Sequence, residues 1–167
     1  MSLKNEMSKE AWEQVMLAPF IAGFAVTAAD PGGLIGAVQE SAAMAKALRS
    51  AEEASAEGSV ASEILAEIKT SDGRGLIKAG LKDMIKGRSP AEASEAAVAR
   101  LKETMSLVSR TAPAQYASMS ELVRQTAKGV AEAANEGGFM GFGGVAVSDA
   151  EKKTLADIED AIATAQV

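Results

Sequence analysis

Four cations recur at intervals of four along one stretch of this chain: Arg74, Lys78, Lys82 and Lys86, with Arg88 just beyond. At about 100° per residue, i,i+4 positions drift slowly around a helix, so these side chains form one slanted basic ridge. Leu76, Ile77, Leu81, Met84 and Ile85 are expected on the opposite side. Such an amphipathic helix can hold phosphates, anionic lipid headgroups or an acidic protein surface, which makes Arg74, Lys78, Lys82, Lys86 and Arg88 the candidate ligand-binding residues. A plainer role competes. Glu52, Glu53, Glu57, Glu63 and Glu67 make the preceding region acidic, and the ridge can simply complement it. Exposed pairs of that kind contribute about 0–1 kcal/mol each and mainly orient elements.

The second chemically suggestive stretch is Gly137–Gly144, GGFMGFGG. Phe139 and Phe142 are candidate gate residues of a loop that covers a ligand, or two apolar anchors that turn the chain back onto a helical bundle. The glycine spacing does not specify a nucleotide. A Rossmann turn needs a strand before it and a helix directly after it, and a P-loop needs GK[ST]. Near the C-terminus, Asp149, Glu151, Asp157, Glu159 and Asp160 are clustered in sequence but fall on several faces of one helix, so they are expected to be surface charge. No catalytic residue, metal ligand set or cofactor site is assigned.

Composition narrows the chemistry further. The chain has 167 residues with no Cys and no His, which removes disulfides, thiolate nucleophiles, His-based triads and the usual nitrogen and sulfur metal sites. Seventeen basic residues against 23 acidic ones give a net charge of −6, so nucleic-acid binding is not expected. The N-terminus lacks a basic stretch followed by an apolar one, and a cytoplasmic location is the default. The 35 alanines, with only 4% aromatic residues, suit closely packed helices and disfavour sandwiches and barrels.

The elements that must position these groups follow from caps and breakers. An all-α, compact, bundle-like domain of six or seven helices is expected over residues 8–167, with a disordered N-terminus over 1–7. Ser8 caps a first apolar segment, which Pro19 should kink or split near Ala18. Asp30-Pro31-Gly32-Gly33 should open a second helix that Gly58 ends. Ser59 starts a third helix, and Ser71-Asp72-Gly73 should separate it from the basic helix. Ser89-Pro90-Ala91-Glu92 and Ser148–Glu151 are capping boxes, and Thr111-Ala112-Pro113 is a break. From Gln14 to Ala29 there is no charge. With Pro19 inside it, this run reads as a buried core or interface helix, with membrane contact at most peripheral.

These features lead to a non-enzymatic helical interaction or scaffold protein that self-associates, because packing faces are its cleanest features. The alternative is a protein that binds an anionic ligand or lipid headgroup through helix 74–88. An enzyme using only carboxylates, Lys or Tyr comes third.

Overall fold

The computed structural model describes residues 2–30, 37–53, 58–136 and 147–166. Among these the fold is all-α, with no strand: α1 (Lys9–Ala29), α2 (Ala37–Glu53), α3 (Val60–Ile68), α4 (Ser71–Ile85), α5 (Pro90–Thr111), α6 (Tyr116–Glu136) and α7 (Asp149–Ala165). One-turn 3-10 helices occupy Leu3–Glu6 and Pro113–Gln115. Where the sequence predicts disorder over 1–7, Leu3 is buried and its backbone N–H donates to Glu63 Oε1 at 3.2 Å.

The caps explain most boundaries. Ser8, Ser59, Ser89 and Ser148 each accept a backbone N–H from three residues on. The Ser89 and Ser148 backbone N–H groups in turn donate to the Glu92 and Glu151 carboxylates and complete both capping boxes. Ala112 ends α5, and Pro113 begins the short turn that leads into α6. Gly58 has φ +82°, a left-handed conformation that glycine adopts without strain, and it precedes the Ser59 cap. Two boundaries differ from expectation. Ser71-Asp72-Gly73 is the first turn of α4, not a separator, because Thr70 Oγ1 accepts from the Gly73 N–H at 3.0 Å and caps the helix there. Asp30 ends α1 as its C-cap, donating its N–H to the Thr27 carbonyl. The start of the second helix at residues 31–33 lies outside the described residues.

Pro19 does not divide α1. The helix runs unbroken through it, although proline has no N–H for the Val15 carbonyl. That loss, about 3 kcal/mol in an exposed helix, is offset here by packing on every side. Val15, Met16, Ala18, Phe20, Ile21 and Ala22 around the proline are all buried. By length and composition the unbroken helix is long and apolar enough to cross a membrane, but 67% of its most apolar window is buried against other helices. It is the central core helix.

The remaining helices wrap α1. Ser94 Oγ donates to the Ala25 carbonyl at 2.8 Å, which sets the start of α5 against the end of α1. The first turns of α7 reach the same end, beside Ala29 and Ala91. Tyr116 meets Ile162, and Arg124 pairs with Glu159 at 2.8 Å. Hence α6 is antiparallel to α7; α5 and α7 run one way, α1 and α6 the other. Leu101, Met105, Val108, Met119, Val123, Ile158 and Ile162 fill the space between them.

Candidate functional site

Two helices, α2 and α4, lean on this core, and a concave space lies between them. On one side α2 lies against α6 and α1. Its Ala47 Cβ occupies the place a side chain would take at Gly129, and Met44 fills the corresponding place at Gly23. On the other side α4 rests on α1 at Gly80, where an added Cβ would come within 2.9 Å of Leu17 Cδ1. Each glycine lets one helix sink toward its neighbour, and neither contact draws α2 and α4 together.

The result is an apolar groove of about 790 Å³. Phe20, Phe24 and Thr27 of α1 form its floor, and Met44, Ala45, Leu48 and Arg49 of α2 form one wall. Ile77, Leu81 and Ile85 of α4 form the other wall, and Leu65 and Ile68 of α3 stand at one end beside Arg74. Apart from Thr27, the polar side chains of this lining are two arginines. Arg49 Nε donates to the Ala45 carbonyl at 3.2 Å. Arg74 Nη1 donates to the Lys69 carbonyl at 2.7 Å and to the Ile68 carbonyl at 3.4 Å, and so holds the C-terminal end of α3. A guanidinium has five N–H donors, so each arginine keeps donors for an anion.

The structure separates the five cations that the sequence groups together. Arg74 borders the groove. Arg88 folds back onto the Asp83 and Met84 carbonyls at 2.9 and 3.2 Å and caps the end of α4. Lys78, Lys82 and Lys86 are exposed, and among the described residues no carboxylate pairs with them. The acidic residues before them are not their complement. Glu63 accepts from the backbone N–H groups of Leu3 and Lys4, and Glu67 pairs with Lys4 Nζ at 2.6 Å. Phe139 and Phe142 lie outside the described residues, as does Glu57. Ile85 is not on the face opposite the cations: at about 100° per residue it returns to within about 20° of Arg74 and Lys78. It is 49% exposed, the one large hydrophobic side chain so exposed among the described residues.

No protein family, no curated protein and no solved structure matches this chain.

The sequence concealed the α2 wall. Met44, Leu48 and Arg49 belong to a helix whose pattern shows one ordinary apolar face, and nothing in that pattern tells whether the face is covered. Phe20 and Phe24 read as core, and Phe20 is indeed buried while still bordering the groove. A smaller hollow of about 390 Å³ lies between the end of α1 and the starts of α5 and α7, lined by Ser94, Glu95, Lys153, Thr154 and Asp157 among others. Two of its charges pair with each other: Lys153 Nζ bonds Asp157 Oδ2 at 2.6 Å, and that hydrogen bond, then the carboxylate charge, hold the ammonium pKa above its ordinary value. The other C-terminal carboxylates are dispersed, with Asp149 paired to Lys152, Glu159 to Arg124, and Glu151 closing its capping box.

Proposed function

We propose that this protein binds a small amphiphile, an apolar chain carrying an anionic head, in the groove between α2 and α4. The carrying observation is the pairing of a groove of about 790 Å³, almost wholly apolar, with Arg49 and Arg74 in its lining. Ligand pockets of roughly 300–1,000 Å³ with apolar walls and a few polar groups accommodate molecules of this size. The apolar walls supply affinity without direction. The arginines supply direction, since a carboxylate or phosphate takes paired N–H donors from a guanidinium. Thr27 brings the one hydroxyl among the lining residues, with no carboxylate beside it to act as a base, so the role proposed is carriage or sensing. We place it in the cytoplasm, with which a chain lacking cysteine is compatible.

Self-association, the leading expectation from the sequence, has less support. Ile85 alone among the large hydrophobic side chains described is prominently exposed, whereas a broad apolar patch would favour an interface between copies. Native mass spectrometry of untreated protein reads both properties at once, as retained mass and as subunit number.

The decisive experiment is calorimetric titration with the carboxylates of decane, dodecane and tetradecane, and with the matching alcohols. Each added pair of methylenes should tighten binding by about fifteenfold, following roughly 0.8 kcal/mol per buried methylene. The alcohols should bind at least about tenfold more weakly, because they offer no charge to the arginines. Ala45→Trp, which fills the groove from an exposed position on α2, should abolish binding while leaving the melting curve cooperative. Absence of binding, or affinity independent of chain length, would overturn the proposal.

A further inference from the structure

The groove and the lysine ridge share one helix, and their relative positions on it are informative. Taken at about 100° per residue from Arg74, the groove-lining residues Ile77, Leu81 and Ile85 occupy about 300° to 20°. Leu76, Gly80 and Met84 occupy about 200° to 280°, the sector in which Gly80 sits on Leu17. Lys78 and Lys82 follow the groove sector at about 40° and 80°, and Lys86 continues the ridge at the cap. The helix's two carboxylates, Asp72 and Asp83, fall at about 160° and 180°, on the far side. A carboxylate-free cationic strip therefore borders the lip of the groove, with the half-exposed Ile85 between them.

We propose that this strip docks on the surface of anionic lipid membranes, so that the groove lip meets the headgroup layer from which an amphiphile enters or leaves. The proposal rests on the amphiphile-binding reading for its purpose, but its docking step stands on its own observations. The first is charge: in a chain of net charge −6, Lys78, Lys82 and Lys86 are exposed and unmatched by any described carboxylate. An anionic surface is their electrostatic complement, at about 1 kcal/mol per basic residue close to it. The second is Ile85, an exposed apolar side chain beside those cations, where it can enter the acyl boundary as the lysine stems extend to the headgroups. A soluble acidic protein would meet the lysines equally well but gives Ile85 no apolar phase.

The test is co-sedimentation of the full chain with vesicles of phosphatidylcholine alone or of equal parts phosphatidylcholine and phosphatidylglycerol. Wild type should bind the mixed vesicles, bind the neutral ones far less, and be released as salt shortens the screening length. Lys78→Glu with Lys82→Glu should weaken binding to mixed vesicles by about 25-fold or more, from two losses of about 1 kcal/mol each. Both sites are exposed, and an unchanged melting curve checks that the fold persists. Ala45→Trp should keep vesicle binding. No binding by wild type, equal binding to both vesicle types, or full binding by the double variant would overturn docking. Failure of the amphiphile reading is a separate outcome: no uptake of free dodecanoate, with charge-dependent vesicle binding intact.

Discussion

Tyr116→Phe isolates one oxygen atom whose contribution can be worked out from the structure. Tyr116 opens α6 and is 6% exposed, and its hydroxyl donates to the Ile162 carbonyl at 2.5 Å. Ile162 belongs to the last four residues of α7, whose carbonyls have no intrahelical partner. Gln166, four residues on, is the C-cap where the helix ends. The tyrosine hydroxyl supplies a donor to this carbonyl from another helix. Phenylalanine keeps the ring and its packing but leaves a buried carbonyl without its donor, which costs about 1–3 kcal/mol. We expect a loss of about 2 kcal/mol in urea unfolding with unchanged m, and a Tm lower by about 4–8 °C for a domain of this size. The same residue gives an independent readout, because it is the only tyrosine. Burial raises its pKa above the ordinary 10.0, against smaller opposing effects of Ser120 and Arg124. The unfolded chain therefore loses this proton first. Its contribution to stability is complete below pH 10 and disappears as pH rises through the folded value, and Tyr116→Phe should remove that part of the alkaline decline. A variant that melts within about 1 °C of wild type, with the same alkaline limb, would refute the capping argument.

Three other outcomes follow from local geometry. Gly75 is exposed in the interior of α4 with open space around it, so Gly75→Ala should stabilise the protein by about 1 kcal/mol through helix propensity, measured as a rise in urea midpoint. Gly73→Ala, two residues away, should do the opposite by about 2 kcal/mol or more, because its Cβ would overlap the backbone carbonyl of Glu67. At acid pH, Glu92 is held below its ordinary pKa of 4.5 first by the Ser89 backbone N–H and then by the Ser89 hydroxyl. Its contribution is present above pH 4.5 and lost as pH falls through the folded value, so Glu92→Gln should flatten the acid limb of a stability profile and leave its upper part parallel to wild type.

The parts of this fold legible in the sequence are those governed by interactions a few residues apart. Ser89 with Glu92 and Ser148 with Glu151 each complete a hydrogen-bonded ring within one turn, so the starts of α5 and α7 follow from four letters. Pro19 shows the opposite limit. Its local penalty is plain in the sequence, while the packing that outweighs it comes from α5 and α6, far along the chain. Thr70 and Ser71 are nearly equivalent caps by type, and the choice between them depends on Gly73 fitting under the end of α3. The candidate site divides in the same way. The alternation of cations and apolar residues on α4 was visible at once, but the opposing wall at Met44, Leu48 and Arg49 exists only because α2 is held away from α4. The fate of Glu63 and Glu67 turned on a partner, Lys4 and its neighbouring backbone, about 60 residues distant.

The small residues on which α2 and α4 rest carry a consequence for how this protein could diversify. Gly23, Gly129 and Gly80 are seats into which Met44, Ala47 and Leu17 are lowered, and none of the three glycines lines the groove. The depth of each seat fixes how far its helix stands from the core, and hence the width of the opening between them. A side chain at Gly129 would meet Ala47 Cβ and shift the α2 wall, as a shim shifts a hinge, whereas at Gly23 and Gly80 the flexible ends of Met44 and Leu17 would give way first. In the proposed amphiphile site, preference for a straight, branched or bulkier chain would then be adjustable from behind the wall, at a glycine outside the groove lining.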